Sequence, residues 1–371
     1  DWWGRARASS AGIYNFQAIV YRFFTDQDNA FEAMKKGDID VYAVYTARIW
    51  ANELHGPRFD NNWILRRRIR NHSPVGFQGF AMNLRRPPFD DLRVRQALAA
   101  LLDRETMNRT LMFNAYFLHR SYYEDLYDAQ HPCTNPVFAY DPGRAAALLR
   151  EAGWAPNPKT GLLEKAGRPL AIRFLTRDGG SDRFLAVYSE ALKRAGITLQ
   201  IDRKDFASWM RDMDAFNFDM TWCSYGGGLF RDPETMWHSQ EADRPAGNNV
   251  TGFKDPRVDA WIEEQKTEFD PLRRNAILRR IDAVLASSVP FILLWNTDAT
   301  RLLYWDKFGM PATVLSKYGN EGAVVAYWWH DPDSAADLKE AMASGLPLPP
   351  RPPEVDFDAV FPPLRGSAEV Q

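Results

Sequence analysis

The alternation of apolar and polar residues from 15 to 24, Asn-Phe-Gln-Ala-Ile-Val-Tyr-Arg-Phe-Phe, predicts a β-strand. Residues 28–36 change to a helical spacing that Gly37 stops, since glycine takes the left-handed backbone after a helix end. A second strand is expected over residues 40–44, which completes a βαβ-like unit and points to α/β architecture. The apolar run 77–84 ends at Pro87-Pro88, a boundary because neither proline donates a backbone hydrogen bond. Leu92, Val94, Leu98, Leu101 and Leu102 then place one helix over 91–111, capped by Asp90 or Asp91. Asp141-Pro142 opens another helix, closed by Gly153. Strands over 170–176 and 197–201 flank a helix over 182–194. Residues 218–224 form a further strand, 256–288 read as helical, and 289–295 as a strand with Pro290 near its start. The last 28 residues hold seven of the 24 prolines, so 344–371 is expected to be an extended tail that wraps the body or hangs free. No internal repeat is visible.

Composition narrows the class. The chain has 371 residues, 46 Lys+Arg against 48 Asp+Glu, 45% apolar and 25% charged residues, which excludes a disordered or collagen-like chain. The length suits two domains or lobes, and the balanced charge removes the electrostatic footprint of a nucleic-acid binder. The run 289–294 falls far short of the roughly 18 apolar residues a membrane span needs. Asp1-Trp2-Trp3-Gly4-Arg5 has neither an initiator Met nor the pattern of a secretory signal, so a processed chain or a fragment is expected. Cys133 and Cys223 form either one bridge or two buried thiols.

Candidate chemistry is sparse. None of the six histidines pairs at helical metal-ligand spacing, neither cysteine sits in a Cys-x-x-Cys motif, and Gly226-Gly227-Gly228 lacks the Lys-Ser/Thr of a phosphate loop. There is no Gly-x-Ser-x-Gly elbow. No catalytic residue, metal ligand or cofactor is therefore assigned. Arg66-Arg67-Arg68-Ile69-Arg70 reads better as the solvated face of a strand than as an anion-docking patch. Aromatic residues reach 13% with 13 Trp, and Trp222, Tyr225 and Trp237 flank a glycine loop at a strand end, where α/β sheets commonly hold ligands.

Several segments in order resemble the family 5 extracellular solute-binding proteins of bacterial ABC importers. They are Asn83 to Phe89 followed by Asp91-Leu92-Arg93-Val94-Arg95-Gln96-Ala97-Leu98, Tyr140-Asp141-Pro142-Gly143-Arg144-Ala145 with Glu151-Ala152-Gly153-Trp154, Leu192-Lys193-Arg194-Ala195-Gly196-Ile197, and Phe218-Asp219-Met220. Phe31 to Asp38, Asn83-Leu84-Arg85-Arg86-Pro87 and Asn108-Arg109-Thr110-Leu111 are most similar to the YejA-like oligopeptide-binding branch.

The resemblance implies a type II periplasmic binding protein fold of two α/β lobes, with the N-terminal part of lobe one missing. Residues 1–82 would belong to lobe one, 83–292 to lobe two and 293–343 to lobe one again, with hinges near residues 80–83 and 294–296. It also implies a monomer in the periplasm that closes over a peptide, without catalysis, and delivers it to ABC permease subunits in the inner membrane. The candidate contacts are Tyr45, Trp50, Phe77, Gln78, Asn83, Trp222, Tyr225, Arg231, Asp232 and Trp295. Relatives often place an Asp where this chain has Tyr225. Asp232 could substitute, and the departure favours a longer or cell-wall-derived peptide. A sugar, opine or metal chelate is the alternative ligand, and a carboxylate-based hydrolase the alternative class.

Overall fold

The computed structural model describes residues 12–362. Its principal elements follow from local capping. Helix α1 (Gln27–Lys36) starts where the Asp26 carboxylate accepts from the Asn29 N–H at 2.8 Å and stops at Gly37, φ 87°. Strands β1 (Val41–Ala43), β2 (Ile64–Arg70) and β3 (Phe77–Met82) follow. Asp91 caps α2 (Leu92–Ala100) by accepting from the Arg93 N–H, and α3 (Arg104–Leu111) and β4 (Phe117–Leu118) come next. Then α4 (Pro142–Glu151) begins at Asp141, before β5 (Ala171–Thr176), α5 (Asp182–Arg194), β6 (Thr198–Arg203) and β7 (Met220–Tyr225). Helices α6 (Pro256–Thr267) and α7 (Pro271–Ser288) each carry an Asp N-cap and Pro in the first turn. The chain continues through β8 (Phe291–Leu293), β9 (Trp295–Asn296), β10 (Thr300–Trp305), α8 (Pro332–Ser344) and β11 (Glu354–Asp356).

The described chain divides into two compact units. Unit 1 takes the residues up to Ser73, Leu111–Ala115 and the residues from Thr297 onward, and unit 2 takes Pro74–Thr110 and Tyr116–Asn296. The division therefore falls before β3, whereas the sequence reading put it at the end of that strand. All six residues of β3 pair with β7, and three of them also pair with β8, so the strand cannot leave unit 2 without opening its sheet.

Unit 1 is built on a four-stranded sheet of order β1-β10-β2-β11, antiparallel except for the last pair. One face packs Phe31 and Met34 of α1 with Ile49, Leu303 and Trp305, and the other packs Leu65, Ile69, Leu302, Tyr304 and Trp328. The proline-rich C-terminal segment wraps this unit. Leu348 exchanges bonds with Asn61 and Asn62, the Trp63 indole donates to Leu346 O at 3.0 Å, and β11 adds to β2 in parallel. Residues 363–371 of the expected tail lie outside the described residues. Two arginines of β2 are engaged within unit 1: Arg67 is buried and donates to Tyr304 Oη and Pro352 O, while Arg68 pairs with Asp298 at 2.6 Å and Glu354 at 3.2 Å.

Unit 2 is built on a five-stranded mixed sheet of order β8-β3-β7-β5-β6. β7, β5, β6 and the edge strand β8 run in one direction, and β3 alone runs against them. Alternation along β3 gives the sheet two buried faces. Phe77 and Ala81 join Leu175, Phe291, Trp237 and residues of α6 and α7 on one face. Phe80 meets Phe174 of β5 and Tyr188 of α5 on the other, at 5.1 and 5.8 Å between ring centroids. The segment after β4 is fastened to α7 by Asp282. This fully buried carboxylate accepts from Ser121 Oγ, Tyr122 N, Tyr127 Oη and Asn135 Nδ2, all within 2.6–2.8 Å.

Four expectations change. Residues 15–24 form no strand. Tyr14 N–H bonds Ala326 O and Phe16 packs on Phe308, but among the described residues no strand lies beside residues 17–24, and Val20, Tyr21 and Phe23 are exposed. The single helix expected over 91–111 is two, because the Asp103 carboxylate accepts from the Thr106 N–H and restarts the chain as α3. The span 256–288 likewise breaks at Asp270, which accepts from Leu272 N and Arg273 N to begin α7. The last strand is divided at Leu294, whose N–H still bonds Gln78 O of β3, while Trp295 and Asn296 pair with β4.

Gly76 and Gly227 continue β3 and β7 at their closest approach. A Cβ on Gly76 would lie 1.9 Å from Tyr225 O, and one on Gly227 2.5 Å from Pro74 O, both fixed backbone atoms. A Cβ on Gly226, the residue next to Gly227, would meet nothing within 4 Å. Gly76→Ala is expected to destabilise unit 2 by roughly 1–3 kcal/mol, with Gly226→Ala near neutral. Urea unfolding followed by tryptophan fluorescence checks the pair, and equal midpoints would remove the close approach as a constraint.

Candidate functional site

The register of β3 against β7 determines which candidate residues meet. Phe77 lies opposite Tyr225 and Phe80 opposite Trp222, with Gln78 across from Ser224. Gln78 therefore shares a face with Trp222. Its Oε1 accepts from the Trp222 indole at 3.0 Å while its Nε2 donates to Trp295 O at 2.7 Å. The two indoles stand edge to face, centroids 5.8 Å apart, and Phe184 of α5 touches both, at 5.6 and 5.0 Å. Trp295 is buried by this arrangement, whereas Trp222 keeps part of its ring at the surface. A rigid amphipathic ring with its N–H already satisfied suits an apolar ligand group.

Phe77 and Tyr225 stack on the opposite face, 5.1 Å apart with planes at 28°. They extend into Tyr122, Trp237 and Phe291, so this pair belongs to the core of unit 2. Tyr225 remains half-buried and its hydroxyl points to Asn248 O at 3.4 Å. Burial raises its pKa above the usual phenol range, so it stays a neutral donor.

Asn83 is completely buried, and both ends of its amide are used. Nδ2 donates to Phe216 O and Phe218 O at 2.8 and 3.0 Å, and Oδ1 accepts from Arg85 N and Nη1. It thereby ties the end of β3 to the turn before β7 and has no polar atom left for a ligand. Arg85, which sequence reading did not single out, lies over the Phe216 ring at 3.8 Å and donates to Val250 O and Asn249 O. Burial pushes its pKa down to about 10, still far above neutrality.

The loop after β7 carries the remaining unit 2 candidates. Arg231 pairs with Asp125, and its carbonyl accepts from Gln265 Nε2, which anchors the loop to α6. Asp232 is exposed, with one carboxylate oxygen accepting from Glu234 N at 3.0 Å in a turn that starts a short helix. Between the glycines and Arg231, Leu229 and Phe230 are exposed, Phe230 at 88%. Phe230 was not among the sequence candidates; its signal was an apolar pair next to a triple glycine. On unit 1, the exposed Tyr45 donates its hydroxyl to Glu321, and Trp50 packs on the core under the Arg301 guanidinium, 5.7 Å away.

The two cysteines are separate thiols. Cys223 sits on β7 among the Phe77 cluster, where burial pushes its pKa up to about 12, while Cys133 lies in the segment fastened by Asp282 and bonds Arg120 O weakly at 3.9 Å. The bridge left open by the sequence is thus not formed.

The chain is thus a two-unit α/β protein with partly open aromatic residues on β7 and in the loop after it. The model of the bacterial extracellular solute-binding proteins, family 5 middle region, matches residues 1–247, and the chain belongs to this family. It is 30% identical over 364 residues to the uncharacterized protein y4wM of Sinorhizobium fredii, covering 89% of this chain and 54% of that one. It is 28% identical over 367 residues to the probable peptide-binding protein YejA of Agrobacterium fabrum, covering 88% and 59%. The chain thus spans somewhat more than half the length of these relatives. Among solved structures, the oligopeptide-binding protein AppA of Bacillus subtilis, in complex with a nonapeptide, superposes with a TM-score of 0.69 at 20% identity, over 82% of this chain and 58% of that one. The shared fold is that of the family 5 periplasmic binding proteins.

Two measurements test the geometry. Gln78→Leu is expected to cost roughly 1–3 kcal/mol, since it strands the Trp222 donor and the Trp295 carbonyl, and to broaden the tryptophan emission of the folded protein; an unchanged unfolding midpoint would disconnect the two indoles. Alkylation at pH 8 is expected to label Cys133 before Cys223 in the folded chain, because a thiol held near 12 is almost entirely protonated there. Both are expected to react after unfolding without reductant, and a mass lacking one or both labels would restore the bridge.

Proposed function

We propose that this chain acts as an ABC-importer binding protein that captures oligopeptides in the periplasm and passes them unchanged to a membrane permease. Family membership supports the non-catalytic binding role. The observation that carries the peptide reading is the Trp222–Gln78–Trp295 arrangement, which holds an indole partly open on β7, the strand whose following loop exposes Phe230. Backbone groups of an extended peptide need no particular side chain opposite them, and a rigid aromatic surface accepts varied residues. The relative named as a probable peptide-binding protein and the AppA complex with a nonapeptide favour the same cargo.

The position where relatives place an acidic residue is Tyr225, whose ring is packed in the core of unit 2, and Asp232 is partly engaged in its own turn. Recognition of a free peptide amino terminus therefore does not dominate here, and longer or modified peptides, including cell-wall fragments, suit the site better. Tyr45 and Trp50 are proposed as contacts contributed by unit 1.

Calorimetry of the full-length protein against a panel of penta- to nonapeptides and muropeptides is expected to give binding that Trp222→Ala weakens by at least about tenfold, or about 1.4 kcal/mol. Phe230→Ala is expected to weaken it less, with the fold unaffected. Absence of heat with every peptide, or full affinity in Trp222→Ala, would overturn the reading.

A further inference from the structure

Unit 2 contains a cavity of about 30 Å³ beside the edge strand β8, away from the Trp222 face. That volume holds about two water molecules or the head of a small organic acid. Its floor is Arg104 and His119, its rim Val137 and Phe138, and Val289 and Phe291 form an apolar side.

Arg104 is unusually arranged. Its Nη1 alone donates to three main-chain carbonyls: Leu293 O at 2.6 Å, His119 O at 3.0 Å and Leu294 O at 3.4 Å. These bonds fix the guanidinium plane. Among the described residues no acceptor bonds Nε or Nη2, the two parallel donors of the guanidinium that bind a carboxylate side-on. No carboxylate pairs with Arg104 either. No acid among the described residues lines the cavity, and Glu124, behind His119, has its Oε1 occupied by Arg120 N at 2.6 Å, Ser121 N at 2.9 Å and His119 Nδ1 at 3.2 Å.

A second observation marks the cavity lining as incomplete. The His119 side chain is fully buried and its Nε2 has no hydrogen-bond partner. Buried polar atoms are nearly always satisfied, so an orphan in the lining of a cavity marks a place where something else bonds. Two open guanidinium donors and an apolar rim match an anion with a short hydrocarbon tail, whereas His119 Nε2, left as an acceptor by the Nδ1–H bond to Glu124, lines the cavity without bonding the carboxylate.

We propose that this cavity is a second ligand site, specific for a small aliphatic monocarboxylate held by Nε and Nη2 of Arg104. The site is independent of the peptide reading, since it needs neither Trp222 nor the loop after β7. Its occupant adds an acceptor to a guanidinium that already clamps the end of β8, so it stabilises unit 2.

Propionate and its neutral isostere propionamide are titrated into the full chain while the thermal midpoint is recorded. Propionate is expected to raise the midpoint saturably and propionamide to leave it unchanged. Val137→Asp, an exposed rim position that adds a repelling carboxylate, is expected to weaken propionate at least about tenfold while the unliganded midpoint stays in place. Arg104→Lys, which keeps the charge but loses the fork, is expected to do the same; Val137→Asp decides the matter where Arg104→Lys fails to fold. Equal effects of acid and amide, no effect of either, or undiminished binding in Val137→Asp would overturn the proposal and leave a cavity filled by water.

Discussion

The antiparallel register between β3 and β7 is the constraint from which the rest of unit 2 follows. With Phe77 opposite Tyr225, every second residue of both strands faces the α6–α7 side, and the intervening residues face α5. A slip of one residue would send Gln78 into the apolar cluster and Phe77 into the place of the indole acceptor. The glycines at the strand ends enforce this register sterically, since a Cβ at either Gly76 or Gly227 would occupy the position of the opposing backbone. The Asn83 amide enforces it at the other end by holding the carbonyls of Phe216 and Phe218.

The same register separates roles that look alike in the sequence. Trp222, Tyr225 and Trp295 are all aromatic residues near strand ends, yet only Trp222 combines a satisfied N–H with partial exposure. Tyr225 points across the sheet into the core, and Trp295 is covered by Phe184. The sheet thus carries one partly open indole positioned by a glutamine, with the neighbouring rings acting as its support.

Helix starts were the most legible part of the sequence because a cap is a local event: Asp91 and Asp141 each bond an amide two or three residues ahead, as their positions predict. The same locality hid the breaks at Asp103 and Asp270, whose apolar spacing runs on through the interruption. The strand expected at 15–24 shows the opposite limit. Alternation is necessary for a strand, but pairing is what forms one, and no local pattern reports whether a partner lies alongside. For the site, residue type and proximity to a strand end were readable in Trp222, whereas the structural use of Asn83 depends on carbonyls more than 130 positions away.

The edge of the unit 2 sheet shows how a structural device can acquire a binding role. β8 has β3 on one side only, so its outward backbone groups need other partners or they invite association. Tyr122 Oη accepts from Phe291 N at 3.3 Å and Arg104 Nη1 donates to Leu293 O, so side chains close the edge. His119 N extends the closure to Leu294 O, and β4 pairs with β9 immediately beyond it. Closing an edge with a guanidinium uses one nitrogen and leaves the others aimed elsewhere, whereas a neutral side chain would leave no charge behind. The charge is desolvated, which lowers its pKa to about 10 and raises the benefit of any anion that reaches it. A carboxylate site beside β8 is thus the electrostatic consequence of how the edge is closed, reached from residues that are 189 positions apart in the chain and share no motif.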